Sequence, residues 1–276
     1  MSRSSLFAVL SLLPLASLSA ELSACALPAL EPAPGGEPLS LTGVEPDATA
    51  LSGVAVDPRT GDLVLAAPGT GLVELGSDGR HLRTMRVGDW GLDFGSFNDV
   101  AVLDLERYVL ATNGDTLLYD AAQATLESYF CLVPPMPSVV LENHAVAVVP
   151  ELGRIFAAPA YYDVSTDEPS LQEAYHAQYA IADGSFVATA DVLDSGVLAQ
   201  GLAYDSSADR LYAVEGSTLH VFDAAGSALG AVALQGIEEG SGLALDDDKG
   251  ALYVSDGADL EVRTFPLDAL RAELGL

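Results

Sequence analysis

Five times the chain writes the same short phrase. The copies are Leu51-Ser-Gly-Val-Ala-Val-Asp-Pro, Phe97-Asn-Asp-Val-Ala-Val, Asn143-His-Ala-Val-Ala-Val-Val-Pro, Ala199-Gln-Gly-Leu-Ala-Tyr-Asp and Gly240-Ser-Gly-Leu-Ala-Leu-Asp. A polar turn and a second apolar run follow each: Asp62-Leu-Val-Leu-Ala, Arg107-Tyr-Val-Leu-Ala, Arg154-Ile-Phe-Ala-Ala, Arg210-Leu-Tyr-Ala-Val and Ala251-Leu-Tyr-Val-Ser. Short strands recurring every ~40–55 residues form small sheets that bury their faces only against one another, and stacking them radially gives a β-propeller. The fold class is therefore all-β.

The residue preceding each inner strand is Ser52, Asn98, His144, Gln200 or Ser241, with spacings of 46, 46, 56 and 41 residues. The fourth unit shows the full pattern. Gly201-Leu-Ala-Tyr-Asp is its inner strand and Arg210-Leu-Tyr-Ala-Val its second. Thr218-Leu-His-Val-Phe-Asp follows, and Leu229-Gly-Ala-Val-Ala-Leu is outermost. Alternating apolar positions and Asp/Gly turns suit strands with a buried face and tight corners. The fifth unit stops after its third strand, Leu260-Glu-Val-Arg-Thr-Phe, whereas Pro38-Leu-Ser-Leu-Thr-Gly43 precedes the first unit. That segment is expected to complete the last blade and close the ring, hiding two sheet edges. Five blades result, or six if the long third unit conceals another. The leucine spacing of Leu267-Asp-Ala-Leu-Arg-Ala-Glu-Leu predicts a short capping helix.

The charge narrows the range of partners. Eleven basic and 40 acidic residues leave a net charge of −29, and Lys249 is the only lysine. Such a field repels nucleic acid and anionic membrane surfaces and attracts cations.

Arg3 followed by Leu6-Phe-Ala-Val-Leu-Ser-Leu-Leu-Pro-Leu-Ala reads as a secretory leader, too short to span a membrane. Leu22-Ser23-Ala24-Cys25 resembles a bacterial lipobox, with Cys25 the lipidated residue. Ordinary cleavage after Ala20 or Ala26 is the alternative. Residues 1–24 are thus a leader, 25–37 a Pro/Gly linker and 38–276 the propeller, exported and held at the cell envelope or secreted. Cys131 is either a small buried hydrophobe or, if Cys25 is unmodified, its disulfide partner. The chain is expected to be monomeric.

In a propeller the start of the inner strand and the end of the second lie on one face. Ser52, Asn98, His144, Gln200 and Ser241 should ring the axis there, joined by Pro68, Asn113, Pro159, Glu215 and Asp256. Asn98, Asn113, Glu215 and Asp256 supply oxygen donors suited to Ca²⁺ or another hard divalent cation. Turn chemistry alone also favours such residues at strand ends. The insertion from Ala160 to Tyr175 begins on this face, and Tyr161 and Tyr162 are candidates for a recognition lip. Trp90 reads as a recognition residue or a packing wedge. His81, His176 and His220 carry no pattern. Asp246-Asp-Asp-Lys and the Asp163–Glu168 cluster lack the Gly and terminal Glu of an EF-hand loop and read as solvated turns. No nucleophile elbow, His-Glu-x-x-His, phosphate-binding loop or Cys-x-x-Cys occurs.

Leu51-Ser-Gly-Val-Ala-Val-Asp-Pro-Arg-Thr-Gly-Asp-Leu, Leu72-Val-Glu-Leu-Gly-Ser-Asp-Gly, Gly201-Leu-Ala-Tyr-Asp and Glu239-Gly-Ser-Gly-Leu-Ala-Leu-Asp-Asp-Asp resemble the SdiA-regulated family of envelope propellers. They are similar, too, to the wider NHL-repeat and gluconolactonase-like propellers, over roughly residues 48–265. The first resemblance implies a non-enzymatic binding module for an envelope protein or glycan. The second implies a metal-dependent lactonase, in which Phe97-Asn98-Asp99 resembles one element of a Glu/Asn/Asp metal set and Asn98, Glu215 and Asp256 would serve. In that chemistry the cation polarises the carbonyl and activates water.

Overall fold

The computed structural model describes residues 35–39, 50–86, 97–112, 115–131, 138–165, 170–174, 176–181, 186–190 and 197–276. They build five antiparallel sheets in sequence order, and the sheets are the blades of a five-bladed propeller. Strand β1 (Glu37–Pro38) belongs to the last blade. Blade one holds β2 (Gly53–Val56), β3 (Leu63–Ala67), β4 (Gly71–Leu75) and β5 (His81–Arg86), from the inside outwards. Blade two holds β6 (Phe97–Val102), β7 (Arg107–Thr112), β8 (Asp115–Asp120) and β9 (Thr125–Cys131). Blade three has five strands, β10 (Val139–Val149), β11 (Arg154–Asp163), β12 (Ser170–Ala174), β13 (His176–Ala180) and β14 (Phe186–Ala190). Blade four holds β15 (Gly201–Asp205), β16 (Arg210–Glu215), β17 (Thr218–Asp223) and β18 (Ala228–Ala233). Blade five holds β19 (Gly240–Asp246), β20 (Ala251–Asp256) and β21 (Glu261–Pro266), with β1 outermost.

The ring closes through this borrowed strand. Glu37 pairs with Thr264 and Pro38 with Arg263, and the Leu39 N–H donates to the Val262 carbonyl at 2.8 Å. A proline is tolerated there because the strand is an outer edge and its missing donor breaks no central ladder. The strand begins one residue earlier than its sequence pattern suggests, and residues 40–43 lie outside the described residues. The six-blade alternative is corrected: the extra length of the third unit goes into an extension of blade three.

Each blade interface has its own apolar cluster, and the repeated phrase explains how. In every inner strand the alanine faces the following blade while its larger neighbours face the preceding one. Ala55 packs with Val100 and Leu110 between blades one and two, whereas Val54 packs with Ala244 and Tyr253 between blades five and one. Ala101 lies with Val146, Ala147 with Leu202 and Ala203 with Leu243. The blades therefore interdigitate small against large at the density of a protein interior. Burying each Val or Leu contributes ~1.5–3 kcal/mol. The turn after the inner strand is fixed by an aspartate in three blades. Asp57 Oδ1 accepts the Arg59 N–H at 2.9 Å, Asp205 Oδ1 accepts from Ser207 and Ala208, and Asp246 Oδ1 accepts from Lys249.

The C-terminal helix forms as its leucine spacing predicts, as α1 (Leu267–Glu273). It sinks Leu267 and Leu270 into the cluster between blades four and five, and Arg271 pairs with the fully buried Asp205 carboxylate.

Candidate functional site

The five ring residues do share one face, and the backbone explains how they are presented. In blades two, three and five a β-bulge falls at the ring residue, between Phe97 and Asp99, Asn143 and Val146, and Gly240 and Gly242. A bulge leaves the extra residue out of the ladder and re-aims its side chain. Independently of the bulges, the ring side chains of blades one, two and five reach the neighbouring blade in one repeated way. Ser52 Oγ donates to the Phe97 carbonyl at 2.5 Å, Asn98 Nδ2 to the Asn143 carbonyl at 2.8 Å and Ser241 Oγ to the Leu51 carbonyl at 2.8 Å. Each acceptor immediately precedes the next blade's ring residue. These are staples between blades. Gln200 departs from the pattern by accepting the Gly216 N–H at 3.3 Å, and His144 departs further.

Just below the ring, the inner strands meet backbone to backbone. A Cβ on Gly242 would lie 2.5 Å from Gly53 Cα, and one on Gly201 would lie 2.6 Å from Gly242 Cα. The aligned position in blade two carries a carboxylate, Asp99, whose Oδ1 would stand 2.4 Å from a Cβ on Gly53. Asp99 is wholly buried. Its Oδ1 accepts the Val100 N–H at 2.8 Å and its Oδ2 the Val146 N–H of blade three at 3.0 Å. Burial pushes its pKa well above the usual carboxylate range, although the two N–H donors oppose the shift. Sequence reading gave Asp99 no role of its own. Its signal was an acidic residue where the other repeats read Gly53, Ala145, Gly201 and Gly242.

Of the oxygen donors singled out for a cation, the Asp256 and Glu215 carboxylates are turned onto backbone N–H groups, whereas Asn98 is held through its amide nitrogen. Asp256 has no exposed surface; its Oδ2 accepts the Glu238 N–H at 2.8 Å, and its Oδ1 accepts from Glu239 and Ala258. Glu215 Oε1 accepts the Leu198 N–H at 2.8 Å, and its Oε2 stands 3.8 Å from His220 Nε2. Both carboxylates thus clamp the segment leading into their own blade. Asn113 lies outside the described residues. Among the described residues, no three His, Cys, Asp or Glu side chains gather as a metal cluster.

Blade three differs from the others. Its first two strands run on past the ring, pairing Val139 with Asp163, Leu141 with Tyr161 and Glu142 with Ala160. β12 adds a third strand, with Ala174 against Ala160 and Leu171 against Tyr162. The two tyrosines part company here. Tyr161 packs against the cluster between blades two and three. Tyr162 lies on the opposite face with Glu142 and His144, over the small Ala160. His144 Nε2 is 3.0 Å from the Tyr162 hydroxyl and 3.4 Å from Glu142 Oε2. Burial lowers the His144 pKa and raises those of Glu142 and Tyr162, the nearby Glu142 charge adding to the rise at Tyr162. Val140 and Leu171 stand beside it, 41% and 43% exposed.

Other candidates fall elsewhere. His176 is buried in β13 against Phe156, His81 lies on the outer strand of blade one with Thr84, and His220 lies on the third strand of blade four. Asp163 Oδ1 caps its own turn through Ser165 N–H. Cys25, the Cys131 side chain, Trp90 and the leader lie outside the described residues. No described helix is long and apolar enough to cross a membrane.

No protein-family model matches the chain, and no curated protein matches it. Solved structures do. A calcium-binding protein, regucalcin, from Agrobacterium tumefaciens is similar with a TM-score of 0.52 and 14% identity, over 85% of this chain and 94% of that one. A gluconolactonase from Xanthomonas campestris matches with a TM-score of 0.49 and 16% identity, over 79% and 86%. A chain of a nidogen/laminin complex matches with a TM-score of 0.49 and 15% identity, over 80% and 82%. At these identities the likeness is one of fold, and this chain shares the β-propeller architecture with regucalcin.

Proposed function

We propose that this chain is a monomeric binding propeller of the cell envelope, of the SdiA-regulated kind, which recognises a protein or glycan through the extension of blade three. The observation that carries this reading is the extension itself. Among the described residues it is the one departure from the four-stranded repeat, and on its blade-four side it presents Glu142, His144 and Tyr162 beside the exposed Val140 and Leu171. A rigid sheet carrying an aromatic ring, a hydrogen-bonding pair and partly exposed apolar side chains suits recognition without chemistry. The leader reading of residues 1–24 and the lipobox reading of Cys25 support an envelope location, with residues 26–34 as the tether of a domain whose first strand already includes Glu37. Against the lactonase reading stands Asp256, both of whose carboxylate oxygens already accept backbone N–H groups of the segment entering blade five or of its own turn.

The test is a panel of glycans and envelope proteins presented to the wild type and to Tyr162→Ala. A ligand bound by the wild type and weakened tenfold or more by Tyr162→Ala is the expected outcome. A ligand indifferent to Tyr162, Glu142 and His144 would overturn the assignment of this face.

A further inference from the structure

Beneath the level where the inner strands touch, they spread apart again. A cavity of about 300 Å³ opens there on the face opposite the ring, at the small end of the range of ligand pockets. Its deep end is formed by Val54, Val100, Val146, Leu202 and Leu243, one residue from each inner strand, and its next level by the alanines of the repeated phrase. Its mouth is acidic. Glu151, Asp246, Asp247 and Asp248 line it, with Tyr204 and Ser206. The positive charges near this rim are committed: Lys249 pairs with Asp246 at 2.9 Å, and Arg271 pairs with Asp205. Asp247 is left among like charges. Partial burial and the neighbouring Asp205, Asp246 and Asp248 raise its pKa against the opposing pull of Arg271.

We infer that this cavity binds a small amphipathic cation, its hydrocarbon tail among the valines and leucines and its ammonium head at the acidic mouth. Apolar walls reward a chain, and the volume suits roughly ten heavy atoms at ~30 Å³ each. The rim selects the sign of the head group: a cation relieves the repulsion around Asp247, whereas an anion of the same length adds to it. This site lies at the other end of the axis from the extension of blade three, so it stands or falls independently of the proposed recognition face.

The experiment is calorimetric titration of the full chain, at physiological ionic strength, with methylammonium, hexylammonium, octylammonium and octanoate. Affinity should rise about fourfold per added methylene, and octylammonium should bind at least tenfold more tightly than octanoate. Ser206→Trp, an exposed turn position at the mouth, should weaken octylammonium tenfold or more. Asp247→Asn combined with Asp248→Asn should shrink the preference over octanoate, and Tyr162→Ala should change nothing. Methylammonium binding as tightly as octylammonium would reduce the effect to surface charge and overturn the inference. So would equal binding of octanoate, no saturable binding of octylammonium, or indifference to Ser206→Trp.

Discussion

The Asp99 carboxylate of blade two accepts the Val146 N–H of blade three at 3.0 Å, and its other oxygen accepts the Val100 N–H. One wholly buried side chain therefore ties two inner strands together beside the axis. Asp99→Ala strands both donors in a dry environment, and an unmet buried donor costs about 1–3 kcal/mol. Denaturant unfolding should show a loss of at least that size with an unchanged m-value. A change within 0.5 kcal/mol would mean that the bridge contributes nothing.

Two buried groups give stability opposite dependences on pH. His176 is depressed from 6.5 to about 4 by burial, so the unfolded chain binds its proton first. Its contribution is complete above about pH 6.5 and is lost as pH falls towards 4, up to about 3 kcal/mol. Asp99 is raised, so the native state holds its proton longer, and stability declines as pH rises above the ordinary carboxylate range. His176→Phe should flatten the acid side of the stability profile, and Asp99→Asn should flatten the decline above it. Chemical unfolding from pH 3.5 to 8 reads both slopes; an unchanged profile in either variant would contradict the assignment.

The close approach at the axis makes a glycine obligatory at Gly242. A methyl there meets Gly53 Cα at 2.5 Å and Val54 N at 2.6 Å, both backbone atoms that cannot swing aside. Gly242→Ala should cost about 3 kcal/mol. At Gly35 the nearest atom to a new Cβ is Gln235 Oε1 at 3.5 Å, so Gly35→Ala should stay within about 0.5 kcal/mol. Equal melting temperatures for the two variants would contradict the geometry.

Ser241 carries the staple between the last blade and the first, because its hydroxyl reaches the Leu51 carbonyl. Ser241→Ala should lower stability by about 1 kcal/mol. Removing residues before 40 should cost more, since it strips β1 and leaves the edge of β21 open to pairing between molecules. Thermal melts combined with light scattering separate these outcomes. A truncated chain that melts like the full one and stays monodisperse would show that the borrowed strand is dispensable.

Blade number, ring closure and the C-terminal helix were legible because each follows from local periodicity repeated in one chain. The Val-Ala-Val phrase carried even the packing rule, since its alternation of small and large residues is what adjacent blades require. The site was harder to read. Asn98, Glu215 and Asp256 look alike in sequence whether they point to a ligand or to the backbone, and only the register of bulges and entry segments gives Asn98 a neighbouring carbonyl and the two carboxylates backbone N–H groups. Tyr161 and Tyr162 are adjacent and chemically identical, yet strand alternation puts one in a core and the other beside His144. Asp99 shows the limit differently: its meaning comes from two residues that lie 47 positions apart in the chain and meet only once blades two and three have packed together.

The most direct measurement concerns whether the ring-face oxygens bind a ligand or hold the blades. The full chain should be melted after chelation and again with Ca²⁺, Mg²⁺, Mn²⁺ or Zn²⁺, since occupancy at 100 times Kd adds about 2.7 kcal/mol and ~2–4 °C or more per kcal/mol would be visible. With Asn98, Glu215 and Asp256 engaged as described, no ion should give a saturable shift that these residues control, while Asp256→Ala should lower the melting temperature in chelator alone. A saturable shift abolished by Asn98→Ala or Asp256→Ala would contradict this and make the ring face a metal site.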